Sequence, residues 1–92
     1  MDVWEHDGDK YEYESYYSVP DEAWRHELMP LDGAPETYPW MHVVVPDTVD
    51  DGPFTPAPPE RVTVAVGGDG ELPWPVVRRF LEEVYDSGHV PR

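Results

Sequence analysis

Tyr11, Tyr13, Ser15, Tyr17 and Val19 fall at every second position, with Glu12, Glu14 and Tyr16 between them. A period of two fits an extended strand, so this segment commits the chain to a sheet. One face of the strand carries the aromatic row, and the other is at least partly wet. Asp7-Gly8-Asp9 ahead of it is a strong turn signal. Trp4 and His6 alternate with charged neighbours on the far side of that turn, so the first nineteen residues read as a β-hairpin.

Pro20 ends this strand. Asp21 to Leu28 has a weak helical pattern, with Trp24 and Leu28 four residues apart and Asp21 placed to cap it, which predicts one or two turns. Pro30 to Pro39 is irregular. Trp40-Met41-His42-Val43-Val44-Val45 is an almost unbroken apolar run rich in β-branched residues, read as a buried strand closed by Pro46. Residues 47–60 hold Asp50, Asp51, Pro53, Pro56, Pro58 and Pro59, too proline-rich for the interior of a sheet and too acidic for a core, and so form a surface connection. Arg61 to Val66 alternates into a further strand, stopped by Gly67 and Gly68.

The last element is a helix from about Pro73 to Ser87. Trp74, Val77, Phe80 or Leu81, and Val84 recur at helical spacing, prolines occupy the opening turn, and Gly88 stands at the C-terminal stop. Arg78 and Arg79 precede Glu82, Glu83 and Asp86, an order that works against the helix dipole, so burial of the apolar stripe against the valine-rich sheet must hold the helix in place. The expected fold is a single small α+β domain over residues 1–92. It comprises an antiparallel sheet of about four strands near 2–6, 10–19, 40–46 and 61–67, with the C-terminal helix on one face. The sequence leaves strand order open.

Charge bounds the partners. Twenty carboxylates against six Lys and Arg give a formal net charge of −14 on 92 residues, which favours solubility and weakens the compact state by self-repulsion. Contact with nucleic-acid backbone or with anionic membrane needs positive patches that this chain does not supply. The absence of cysteine excludes a disulfide framework and a thiolate metal site. With no signal-peptide pattern and no apolar run near the ~18 residues of a membrane span, cytoplasm is the default compartment.

No spacing of residues announces catalysis. Val66-Gly67-Gly68-Asp69-Gly70 joins a strand to a helix as phosphate loops do. Pro73 and Pro75 lack donors, no Lys follows, and Asp69 and Glu71 repel phosphate, so a tight turn is the better reading. His6, His26, His42 and His89 are scattered without metal-ligand spacing, and the Asp-rich turns do not follow the order of a calcium loop. The chain has three Ser, no Gly-x-Ser-x-Gly, and a proline segment at 53–59 whose P-x-x-P spacing suits a stiff connector. Neither a catalytic residue, a metal ligand nor a cofactor is assigned.

The best functional candidate is the N-terminal hairpin. Glu5, Asp7, Asp9, Glu12 and Glu14 interleave there with Trp4, Tyr11, Tyr13 and Tyr16, and successive carboxylates on one strand face lie about 6.6 Å apart. Such a row fits a basic protein surface, with the aromatics as anchors and the carboxylates steering encounter. The expected function is therefore a non-catalytic acidic interaction or regulatory protein. The alternatives are a nucleic-acid mimic that occupies the cleft of a DNA- or RNA-binding protein, and a small metal-dependent domain or enzyme whose site assembles only in the fold. Oligomeric state is open: an exposed strand edge allows homodimerisation, and net charge opposes it.

Overall fold

The computed structural model describes residues 2–31, 39–49 and 52–92. Five strands, β1 (Asp2–His6), β2 (Asp9–Ser18), β3 (Ala23–Pro30), β4 (Trp40–Pro46) and β5 (Thr63–Gly67), are followed by one helix, α1 (Trp74–Asp86). All neighbours pair antiparallel and the order across the sheet is β1-β2-β3-β4-β5, a meander in which spatial order repeats chain order. The fold is α+β, with five strands where the sequence predicts about four.

The additional strand is β3, in place of the short helix expected over Asp21 to Leu28. A spacing of four is shared by one helix face and by alternate strand positions, so Trp24 and Leu28 are compatible with both. The tertiary fold decides it. Trp24, His26 and Leu28 line the inner face, and β3 pairs along its whole length with β2 and from Ala23 to Leu28 with β4. At the first hairpin, Asp7 and Gly8 take φ of 50° and 86° between the facing pair His6 and Asp9, the two left-handed positions that a tight two-residue turn requires.

Helix α1 buries Val76, Phe80 and Val84, spaced one turn apart, against Trp4, Tyr11, Tyr13, Leu28, Val43 and Val45. Tyr13 is central: its ring stacks on Trp4 at 5.3 Å and meets the edge of Phe80 at 5.8 Å. Complete burial of a side chain such as Phe80 or Leu28 contributes about 1.5–3 kcal/mol. The two arginines find local partners despite the unfavourable dipole order. Arg78 Nε donates to Glu82 Oε1 at 3.2 Å, and the Arg79 guanidinium lies 4.3 Å over the Trp4 ring. Gly88, at φ 82°, supplies the left-handed stop.

Two packing expectations are corrected. Trp74, the first residue of the expected stripe, is 64% exposed, because the buried stripe runs through Val76 instead. The helix also covers the aromatic half of the sheet and Val43 and Val45, but not β5. Val64 and Val66 face Val43 and Met41 in the register and so share the helix side of the sheet, yet remain 55% and 64% exposed.

The described residues of the 47–60 connection are mostly exposed, and the connection is tied back to the sheet by an Asp47–Pro56 bridge and by the Ala57 amide donating to the Pro46 carbonyl. It delivers Phe54 to the core margin and buries Ala57. Asp50 and Asp51, and residues 32–38 of the expected irregular stretch, lie outside the described residues. Among the described residues no helix is long and apolar enough to cross a membrane.

Candidate functional site

The hairpin divides the predicted residues between two faces. Asp2, Trp4 and His6 face the helix side together with Tyr11 and Tyr13, while Glu5, Glu12, Glu14 and Tyr16 point to the opposite, open face. Trp4, Tyr11 and Tyr13 are 3%, 5% and 9% exposed. They hold the helix to the sheet, and Tyr13 also lines a groove at the sheet edge. Alternation places the rings on one face, and the docked helix covers that face. Glu5, Asp7, Asp9, Glu14 and Tyr16 are exposed and Glu12 is half-buried.

The open face carries a polar cluster around Arg25. Its Nε and the Tyr16 hydroxyl both donate to Glu27 Oε2, at 3.2 and 3.0 Å, and its Nη1 reaches Asp21 Oδ2 at 3.0 Å. Nη2 lies 3.3 Å from Nδ1 of His42, whose Nε2 is 3.2 Å from the Met29 sulfur. An arginine can only donate, so Nδ1 accepts and His42 is the neutral tautomer protonated at Nε2. Burial lowers the His42 pKa; Glu27 acts to raise it and Arg25 to lower it. The Trp40 ring lies 4.6 Å from His42, tilted by 34°, and crosses Gly67, where an added Cβ would clash with the indole.

Arg25 satisfies Glu27 and Asp21, but not their neighbours. Glu14 stands directly opposite Glu27 in the β2–β3 register, and Glu5, Glu12 and Glu14 make no ion pair among the described residues. Facing like charges destabilise a strand pair. β2 also outruns β1: among the described residues the β1–β2 pairing ends at Asp2 with Tyr13, and Glu14, Ser15 and Tyr16 extend beyond it. A groove of about 460 Å³, lined by Asp2, Tyr13, Glu14, Ser15 and Tyr16, opens at this free edge. The chain matches no protein-family model, and no curated protein or solved structure resembles it significantly.

Sequence reading missed a histidine pair on the helix side, one member buried and the other half-buried. His26 is fully buried, with Nδ1 3.1 Å from the Tyr13 hydroxyl and Nε2 3.1 Å from Nδ1 of His89. Burial, reinforced by His89, pushes the His26 pKa down to about 4, and burial lowers that of His89. A neutral imidazole donates from one nitrogen and accepts at the other, so a single proton placement serves both neighbours. The pair joins strand β3 to the chain end as a structural link. The only sequence signal for it is the position of His26 midway between Trp24 and Leu28.

A second cleft, of about 400 Å³, lies beside Tyr17, Trp24, Phe54 and Asp47. The three rings touch one another, with centroids 5.7–6.2 Å apart. Desolvation acts to raise the Asp47 pKa, but hydrogen bonds from the Val49 and Thr55 amides and the Tyr17 hydroxyl outweigh it and hold the carboxyl below its usual range. Asp47 thereby ties Val49 and Thr55 to the end of β4. Among the described residues no group of three His, Asp or Glu side chains is arranged to hold a metal ion.

Proposed function

We propose that this protein is a non-catalytic acidic binding module of the cytoplasm that docks on a basic surface of a partner protein through the open face and free edge of the β1–β2 hairpin. The observation that supports this reading is the groove beside Glu14, Ser15 and Tyr16. It combines unpaired strand edge, the carboxylates of Asp2 and Glu14, and the half-exposed ring of Tyr16, whose relative exposure is 41%. A free edge offers main-chain donors and acceptors to an extended segment, carboxylates select a basic one and raise its encounter rate, and an exposed tyrosine supplies contact area.

The facing of Glu14 and Glu27 fits the same reading. It costs stability in the isolated chain and becomes favourable only when a cation arrives between the two.

Capture from host lysate at about 50 and about 300 mM salt, followed by purification of the captured protein, supplies the partner for the decisive experiment. Changing Glu5, Glu12 and Glu14 to Gln is expected to slow its association about tenfold or more at low salt and to flatten the salt dependence. An unchanged association rate and salt slope overturns the reading. Competition by duplex DNA for the same partner distinguishes a nucleic-acid mimic, which DNA displaces, from an ordinary acidic partner, which it does not.

A further inference from the structure

We propose that the protein forms a two-fold dimer in which β5 pairs with β5 of a second copy, joining two five-stranded sheets into one of ten strands. The two edges of the sheet are unlike. β1 carries Asp2 and Glu5 and is shielded by charge, whereas β5, Thr63-Val64-Ala65-Val66-Gly67, contains no charged residue, no proline and no lysine. Four of its five residues are exposed, and Val64 and Val66 present an apolar row at 55% and 64% exposure on the helix side of the sheet, beyond the part that α1 covers. An uncharged edge strand with an apolar face is a template for strand addition.

The chemistry of the strand selects a second copy over a basic partner. β5 has no carboxylate with which to attract a basic segment, and in a chain of net charge −14 it is the edge along which two copies approach with least repulsion. Its sequence is also self-complementary. Antiparallel pairing about a two-fold axis through Ala65 sets Val64 opposite Val66 of the second copy, and reciprocally, so the four valines form one contiguous row. Beyond the ends of the seam the same register sets Arg61 against Asp69, an opposite-charge pair at each end. The axis stands perpendicular to the sheet, so both helices lie on one face and both acidic hairpins open to the other.

Sedimentation equilibrium from about 10 µM to about 1 mM in about 0.3 M salt is expected to show a monomer–dimer equilibrium. Val64→Lys reduces the negative charge, so it would tighten any association limited by charge; pairing through β5 instead requires it to weaken the dimer about tenfold or more. Val64→Lys with Val66→Glu is expected to restore dimerisation, because the register sets each Lys opposite a Glu. Both positions are exposed, and the circular dichroism of each monomer is expected to match the parent. A monomer throughout the range overturns the proposal, as does a dimer indifferent to Val64→Lys or a charge-swapped double variant that stays monomeric. None of these outcomes bears on the hairpin, whose test uses different residues and a different partner.

Discussion

His26 Nε2 and His89 Nδ1 meet at 3.1 Å across 63 residues of sequence, fastening the C-terminal tail to the middle strand of the sheet. The contact is built from a fully buried imidazole and a partly buried one, and Trp24 and Phe54 close over His89 at ring distances of 4.9 and 5.0 Å.

Acid weakens this fastening. A histidine of ordinary pKa in the unfolded chain and about 4 in the folded protein binds its proton more readily when unfolded, so folding is favoured above about pH 6.5 and loses support as pH falls toward 4. The loss attributable to His26 is roughly 3 kcal/mol by pH 4, and the lowered pKa values of His89 and His42 act in the same direction. Urea midpoints measured from pH 7.5 to 4.5 are expected to fall for the parent and to fall less for His26→Gln.

Replacing the tail histidine separates its hydrogen bond from its packing. His89→Phe keeps a ring between Trp24 and Phe54 but leaves His26 Nε2 without its partner, an expected cost of about 1–3 kcal/mol. His89→Ala loses both and costs more. Denaturant titration of the two variants reads the difference: a parent-like His89→Phe would mean that the bond contributes nothing, and equal losses would mean that the ring packing contributes nothing.

Gly67→Ala drives a methyl group into the Trp40 indole. The expected destabilisation is about 1–3 kcal/mol, and it shrinks in a Trp40→Ala background where the obstructing ring is gone. Thermal melts of the two single variants and the double variant form a cycle whose non-additivity measures the clash.

Glu14→Lys exchanges a facing pair of like charges for an attractive one opposite Glu27. The expected gain is about 0.5 kcal/mol at low ionic strength, and it diminishes in 1 M salt. The same variant is expected to bind a basic partner more weakly, so stability and association move in opposite directions. Chemical denaturation and association kinetics on one preparation check both.

Local sequence accounts for four strands and the helix because each announces itself through a short-range device: alternation from Tyr11 to Tyr17, the turn at Asp7-Gly8, the valines of β4 and β5, and the apolar positions that end at Gly88. β3 was illegible for an identifiable reason. Its central inward residue is His26, a polar side chain that breaks the apolar alternation and is accommodated only by Tyr13 and the distant His89. The candidate site divides in the same way. Alternation places Glu12, Glu14 and Tyr16 together, but which face is covered depends on where a helix some sixty residues further along comes to rest. The groove depends on β2 being longer than β1, a difference in strand length that no residue type marks.

The meander order bears on how the protein is made. Each strand pairs with the one synthesised just before it, so pairing can proceed from the N-terminus as the chain leaves the ribosome. The lid for that growing sheet, α1, is synthesised after all five strands. Until it arrives, Trp4, Tyr11, Tyr13 and Leu28 form a naked greasy floor on an otherwise finished sheet. In that interval, mutual repulsion among the carboxylates opposes contact between the floors of nascent copies, so the dense acidity of this chain shields the sheet before its lid arrives.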